Sequence, residues 1–117
     1  MKKIFVLVFG VLAVGQVFAG TLCTNGAATG SGVTSGNFTV VANQFVVRTF
    51  PVKCSANVEV NHQETAVAFG VGSLSTKGKS YFVGTTGGGQ VSGTGCGTTC
   101  TAGMQDGTLS AQMALAT

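Results

Sequence analysis

From Val52 to Asn61 the chain alternates without a break, with Val52, Cys54, Ala56, Val58 and Val60 on one side and Lys53, Ser55, Asn57, Glu59 and Asn61 on the other. A period of two sustained this long fits a half-buried β-strand and no helix. It predicts a strand over 52–61 with Cys54 facing the core. "NHQE" at 61–64 then reads as a turn, leading into "TAVAFGVGSLS", where Val67, Phe69 and Val71 share one face and Ala66, Ala68 and Gly70 the other. "TKGK" marks a hairpin whose glycine can take a positive φ, and "SYFVG" returns as a further strand. The spacing predicts an antiparallel meander over 52–84, and "NFTVVA" and "QFVVRTF" upstream carry the Phe, Val and Thr that suit strands.

The fold class that follows is all-β, a small antiparallel β-sandwich or partly open barrel stapled by disulfides. Its end is ambiguous. Leu109, Ala111, Met113 and Leu115 lie at spacing two and suit a closing strand, while Leu109 and Met113 are also four apart among good helix formers, so residues 108–116 fit a strand or a short helix equally.

The cysteines make sense only with the compartment. Lys2 and Lys3, the apolar run from Ile4 to Val14, and Val17-Phe18-Ala19 have the three-part form of a secretory signal of bacterial type, with cleavage expected after Ala19. Eleven apolar residues are too short to cross about 30 Å of hydrocarbon, so no stable membrane insertion is expected after cleavage. Three regions result: a signal peptide (1–19), a Gly/Ser/Thr-rich arm (20–36) expected to be loosely ordered, and a single β-rich domain (37–117). In an oxidising compartment Cys23, Cys54, Cys96 and Cys100 are expected to pair. Sequence alone allows three connectivities; the one favoured is Cys23–Cys54 with Cys96–Cys100.

Rival uses of the cysteines fit less well. A thioredoxin-like centre needs two intervening residues beside a βαβ pattern, and Cys96 and Cys100 enclose three. A zinc ribbon needs two close cysteine pairs, and a blue-copper site needs a second histidine beside His62. No cofactor and no metal are expected.

Composition narrows the function classes. Past residue 19 only Arg48, Lys53, Lys77 and Lys79 stand against Glu59, Glu64 and Asp106, a net charge of +1. Scattered cations give no footprint for nucleic acid. "GSLSTKGKS" misses the phosphate-binding loop because Ser73 stands where glycine is required. His62 between Glu59 and Glu64 is read as a solvated turn residue rather than a general base, and the two glutamates as surface charges rather than a glycosidase pair. The chain is therefore read as a non-enzyme.

Of the same 98 residues, 41 are Gly, Thr or Ser. A soluble monomer ordinarily carries more charge, and uncharged strand edges lack the usual guard against pairing. The expectation is a secreted structural protein at the cell surface, in the periplasm or outside the cell, a homo-oligomer or filament subunit using Ala66, Ala68 and Gly70 as its self-association face. The alternative is a small binding or inhibitor module acting through the glycine-rich loops 84–107. In export, length, a disulfide and an alternating C-terminal segment the chain resembles bacterial fimbrial subunits. It lacks their apolar N-terminal donor segment, where "TNGAATGSGVTSG" stands, and ends Leu115-Ala116-Thr117 rather than near an aromatic, so no family is assigned.

Overall fold

The strand announced by the alternation begins only at Val58. In the computed structural model, which describes residues 17–88 and 90–116, residues 52–57 run irregularly, with Asn57 at a φ of 64°. The expected signal peptide lies outside the described residues except for its last three positions.

Among the described residues seven strands form: β1 (Phe18–Cys23), β2 (Val33–Thr34), β3 (Asn37–Phe38), β4 (Val58–Glu64), β5 (Phe69–Ser75), β6 (Ser80–Thr85) and β7 (Ser92–Gly95). A helix, α1 (Asp106–Ala116), ends the described chain. β1, β4, β5, β6 and β7 make one antiparallel sheet in that order, and β2 and β3 make a separate hairpin. The meander is thus real, running from 58 to 95 and joined at its far side by β1. The all-β class holds, and the sheet is open, not a closed barrel.

The arm 20–36 is more structured than its composition suggests. Gly20–Cys23 belong to β1, with a register shift between Thr21 and Cys23, and Val33–Thr34 form half of the hairpin. Cleavage after Ala19 would remove Phe18 and Ala19 from β1 and keep the remainder.

Two "strand" readings fail. "TVVA" and "QFVVRTF" lie outside regular structure, crossing over the sheet instead of joining it. A strand needs a free ladder, and at β1 the outer side is already engaged: Gly32 N–H donates to the Thr21 carbonyl at 3.1 Å. The segment is held by isolated bonds, with Phe38 N–H donating to the Phe50 carbonyl (2.8 Å) and Phe45 N–H to the Thr65 carbonyl (2.9 Å). Val47 remains 79% exposed.

The register defines two faces. On one lie Asn61 and Gln63 of β4, Gly70, Gly72 and Leu74 of β5, and Tyr81 and Val83 of β6, cross-paired as Asn61↔Gly72↔Val83 and Gln63↔Gly70↔Thr85. α1 covers this face. Its Leu109 and Met113, four apart and buried, pack with Ala68 and Val83 as the core. The glycines make the room: a Cβ on Gly70 would come within 2.7 Å of Met113 Sδ and 2.9 Å of Leu109 Cδ1, and one on Gly72 within 2.7 Å of Gln105 Cγ.

With so narrow an apolar stripe, polar contacts set the position of the helix. Asn61 Nδ2 donates to Asp106 Oδ1 (2.7 Å), Gln63 Nε2 to Ser110 Oγ (2.7 Å) and Gln112 Nε2 to Ser92 Oγ (2.9 Å), while Tyr81 and Thr108 share a hydroxyl bond of 2.9 Å. These tie α1 to β4, β6 and β7. Asp106 in the first turn also favours the positive end of the helix dipole. A helix therefore takes the place of the closing strand.

Candidate functional site: an uncharged sheet face and its free edge

The four cysteines pair as Cys23–Cys54 and Cys96–Cys100, with no free cysteine among the described residues. Cys54 sits half-buried ahead of β4 rather than on the core face of a strand, and it is Cys23 that is buried, at 1% exposure. The staple joins the end of β1 to the irregular stretch leading into β4. The Cys96–Cys100 loop follows β7, and its backbone is anchored to the β5–β6 turn by Cys96 N–H to the Lys79 carbonyl (2.7 Å) and Cys100 N–H to the Gly78 carbonyl (2.9 Å).

The expected self-association face is not available. Ala68 is 0% exposed, and Gly70 lies under Met113 and Leu109, so these two positions face the molecule's own helix. Ala66 alone is exposed, in the turn before β5. The two faces are the reverse of the expectation: Val67, expected in the core, is 66% exposed. With small residues on one side and large ones on the other, the large side is the usual choice for the core. Here α1 needs the small side as a landing strip.

The "NHQE" turn is likewise part of β4, and His62 is a buried strand residue. Its ring stacks on Phe69 (centroids 5.7 Å) and meets Phe38 edge-on (5.1 Å), and Phe38 also stacks on Phe50 (5.0 Å). Burial pushes the His62 pKa below its ordinary value, partly opposed by its hydrogen bond with the Gly20 backbone. Nδ1 is buried without a hydrogen-bond partner. Glu64 is fully buried rather than a surface charge; desolvation pushes its pKa up, partly opposed by the Val46 N–H, which donates to Oε2 at 3.2 Å. Glu59 and Glu64 are five apart on one strand and so point to opposite faces, which rules them out as a catalytic carboxylate pair.

These shifts carry opposite pH signs. A lowered histidine pKa means the unfolded chain binds more protons just below pH 6.5, so that stability is full above 6.5 and falls as the pH drops toward the folded value. A raised glutamate pKa gives stability that is full below 4.5 and falls as the pH climbs through the folded value. Glu64→Gln is expected to raise stability at pH 7, with the gain vanishing below pH 4.5. His62→Phe is expected to flatten the acid limb. Urea titrations of parent and variants between pH 4 and 8 check both signs; a Glu64→Gln gain that persists into acid would show that packing, not ionisation, is responsible.

The phosphate-loop look-alike is the β5–β6 hairpin turn, with no helix following it. No three His, Cys, Asp or Glu side chains among the described residues are grouped to hold a metal. No helix among them is long and apolar enough to cross a membrane.

The arrangement that does stand out is the face opposite α1. Its half near β4 is covered by Phe38 of β3, which packs on His62 and Phe69, and by Phe50 of the crossing segment, which stacks on Phe38. The other half, over β5 to β7, is open: Phe69, Val71, Ser73, Phe82, Gly84 and Val91 line a shallow groove of about 330 Å³ with Thr85 and Thr86 at its end. Phe82 is 48% and Val91 68% exposed. No charged side chain lines it. A strand over "SYFVG" puts Phe82 and Val83 on opposite faces, and only the helix reveals which goes inward. Comparison with protein-family models, characterised proteins and solved structures gives no match for this chain.

Proposed function

We propose that this chain is an exported, non-catalytic structural protein that associates with copies of itself through the open half of its sheet. The observation that carries this reading is the uncharged strip Phe69–Val71–Phe82–Val91, continuous with a strand edge that bears no charge, no proline and no bulge. Monomeric proteins ordinarily guard such edges, and contiguous exposed apolar surface commonly marks an interaction site. The two disulfides are compatible with an extracellular setting.

A second apolar group, Val40, Phe45, Val47 and Phe50, lies on the crossing segment and gives the surface that growth beyond a closed pair would require. Electron microscopy of the native extracellular fraction, with sedimentation of the purified protein, tests the reading: assemblies of this chain are expected. A protein that stays monomeric at high concentration would favour a binding module instead, offering the same groove and the loops 84–107 to another molecule.

A further inference from the structure

The outer side of β7 shows which backbone groups are free. Cys96 N–H donates to the Lys79 carbonyl, and the pairs Tyr81↔Thr94 and Val83↔Ser92 lie two and four residues along the same ladder. Alternation in an antiparallel ladder therefore turns Ser92 and Thr94 toward β6 and leaves the N–H and C=O of Gly93 and Gly95 pointing away from the sheet. The opposite edge of the sheet differs. At β1 the Thr21 carbonyl accepts from Gly32 N–H and the Thr21 N–H donates to Ser31 Oγ at 3.3 Å, and Cys23 is tied to Cys54.

Among the described residues one edge is engaged and one is free, which gives this sheet a single place to grow. We propose that β7 pairs antiparallel with β7 of a second copy about a two-fold axis normal to the sheet, with Gly93 opposite Gly93 and Val91 opposite Gly95. The inference rests on the self-association reading above and specifies its partner, symmetry and register.

Size complementarity selects that register. The Phe82 ring lies over Gly93, where a Cβ would meet its Cε1 at 2.9 Å, so the ring leans toward the free edge. In the two-fold pair the row across the seam reads Phe82, Gly93, Gly93, Phe82. The two Phe82 backbones are then three strand spacings apart, about 14 Å, a span that two phenyl side chains leaning over glycine can close. The space above Gly95 is empty, with nothing within 4 Å of a built Cβ, and Val91 of the second copy would occupy it. Neither β7 carries a charge. The nearest, Lys79, sits at the Cys96 end of the strand, so antiparallel pairing puts the two lysines at opposite ends. A seam this short buries less than the roughly 1,200 Å² of a stable interface, so the dimer is expected to be reversible and concentration-dependent.

The test joins sedimentation to amide exchange of the purified protein at low and high concentration. The expected result is a monomer–dimer equilibrium in which the Val91, Gly93 and Gly95 amides gain protection with concentration, while those of Ser92 and Thr94 do not change. A Cβ at Gly95 meets nothing within 4 Å, so Gly95→Lys is expected to fold and melt like the parent and to shift dimerisation at least about tenfold to higher concentration, the edge lysine being a common guard against strand pairing. A parent that assembles while those three amides stay open, or a Gly95→Lys variant that assembles like the parent, would overturn the β7 pairing and leave self-association by another surface. A parent that is monomeric throughout would overturn both.

Discussion

Ala68→Lys should leave no folded protein to assay. Ala68 is 0% exposed and packs with Val83, Leu109 and Met113, so a lysine there either buries an unpaired ammonium or lifts α1 off the sheet. Burying a charge without a partner costs several kcal/mol, comparable with the whole stability of about 5–15 kcal/mol typical of a domain. The neighbouring Val67→Lys, at 66% exposure, should change stability by less than about 0.5 kcal/mol. Circular dichroism melts of the two variants distinguish an interior from an exterior face: a cooperative, parent-like melt for Ala68→Lys would mean that the helix does not cover this position. The same result would restore the Ala66, Ala68 and Gly70 face as a surface for contact between copies.

Removing the Cys23–Cys54 bridge is the second large effect. It closes a loop across a separation of 31 residues, for which the chain-entropy model gives about 3–4 kcal/mol. Cys96–Cys100 has a separation of only 4, and the same model gives about 2 kcal/mol. The double variant Cys23→Ala/Cys54→Ala is expected to lower the melting temperature by roughly 15–25 °C, and Cys96→Ala/Cys100→Ala by about half as much. The larger bridge also matters structurally, because it fixes the end of the β1 edge strand against the irregular stretch that enters β4. Calorimetry of both variants would measure the ratio. Equal losses would argue that the constraint acts through native packing rather than through the unfolded chain.

The two predictions depend on features of different origin. That the four cysteines pair is an expectation the secretory-type signal supports, but the sequence leaves three connectivities open, and it is the structure that shows Cys23–Cys54 with Cys96–Cys100. The β5 and β6 strands, the hairpin between them and the all-β class could also be read directly, because alternation and turn residues are local signals that depend on neighbours two to four positions away. The limits of those signals show at Val52–Asn61. Perfect alternation there did not make a strand before Val58, since a strand also needs a partner ladder, and none runs beside residues 52–57. The same holds for "QFVVRTF", whose strand-forming residues end up as a strap.

What the sequence determined by itself was the inventory: a mostly β chain with a hairpin turn at Thr76–Lys79, four cysteines able to pair, and very few charges. Only tertiary structure decided which side of the sheet is inside. Val67, Phe69 and Val71 outweigh Ala68, Gly70 and Gly72 in apolar area, and burial of area alone would put the larger set in the core. The last eleven helical residues reverse that choice, because Leu109 and Met113 can approach the sheet only where glycine leaves the backbone bare. The reversal buries His62 and Glu64 beneath Phe38 and the crossing segment, and it leaves Phe82 and Val91 facing outward beside a free edge. Parity along a strand is fixed by local geometry, but its direction is set by whatever packs against it, and that partner lies some forty residues away in the chain.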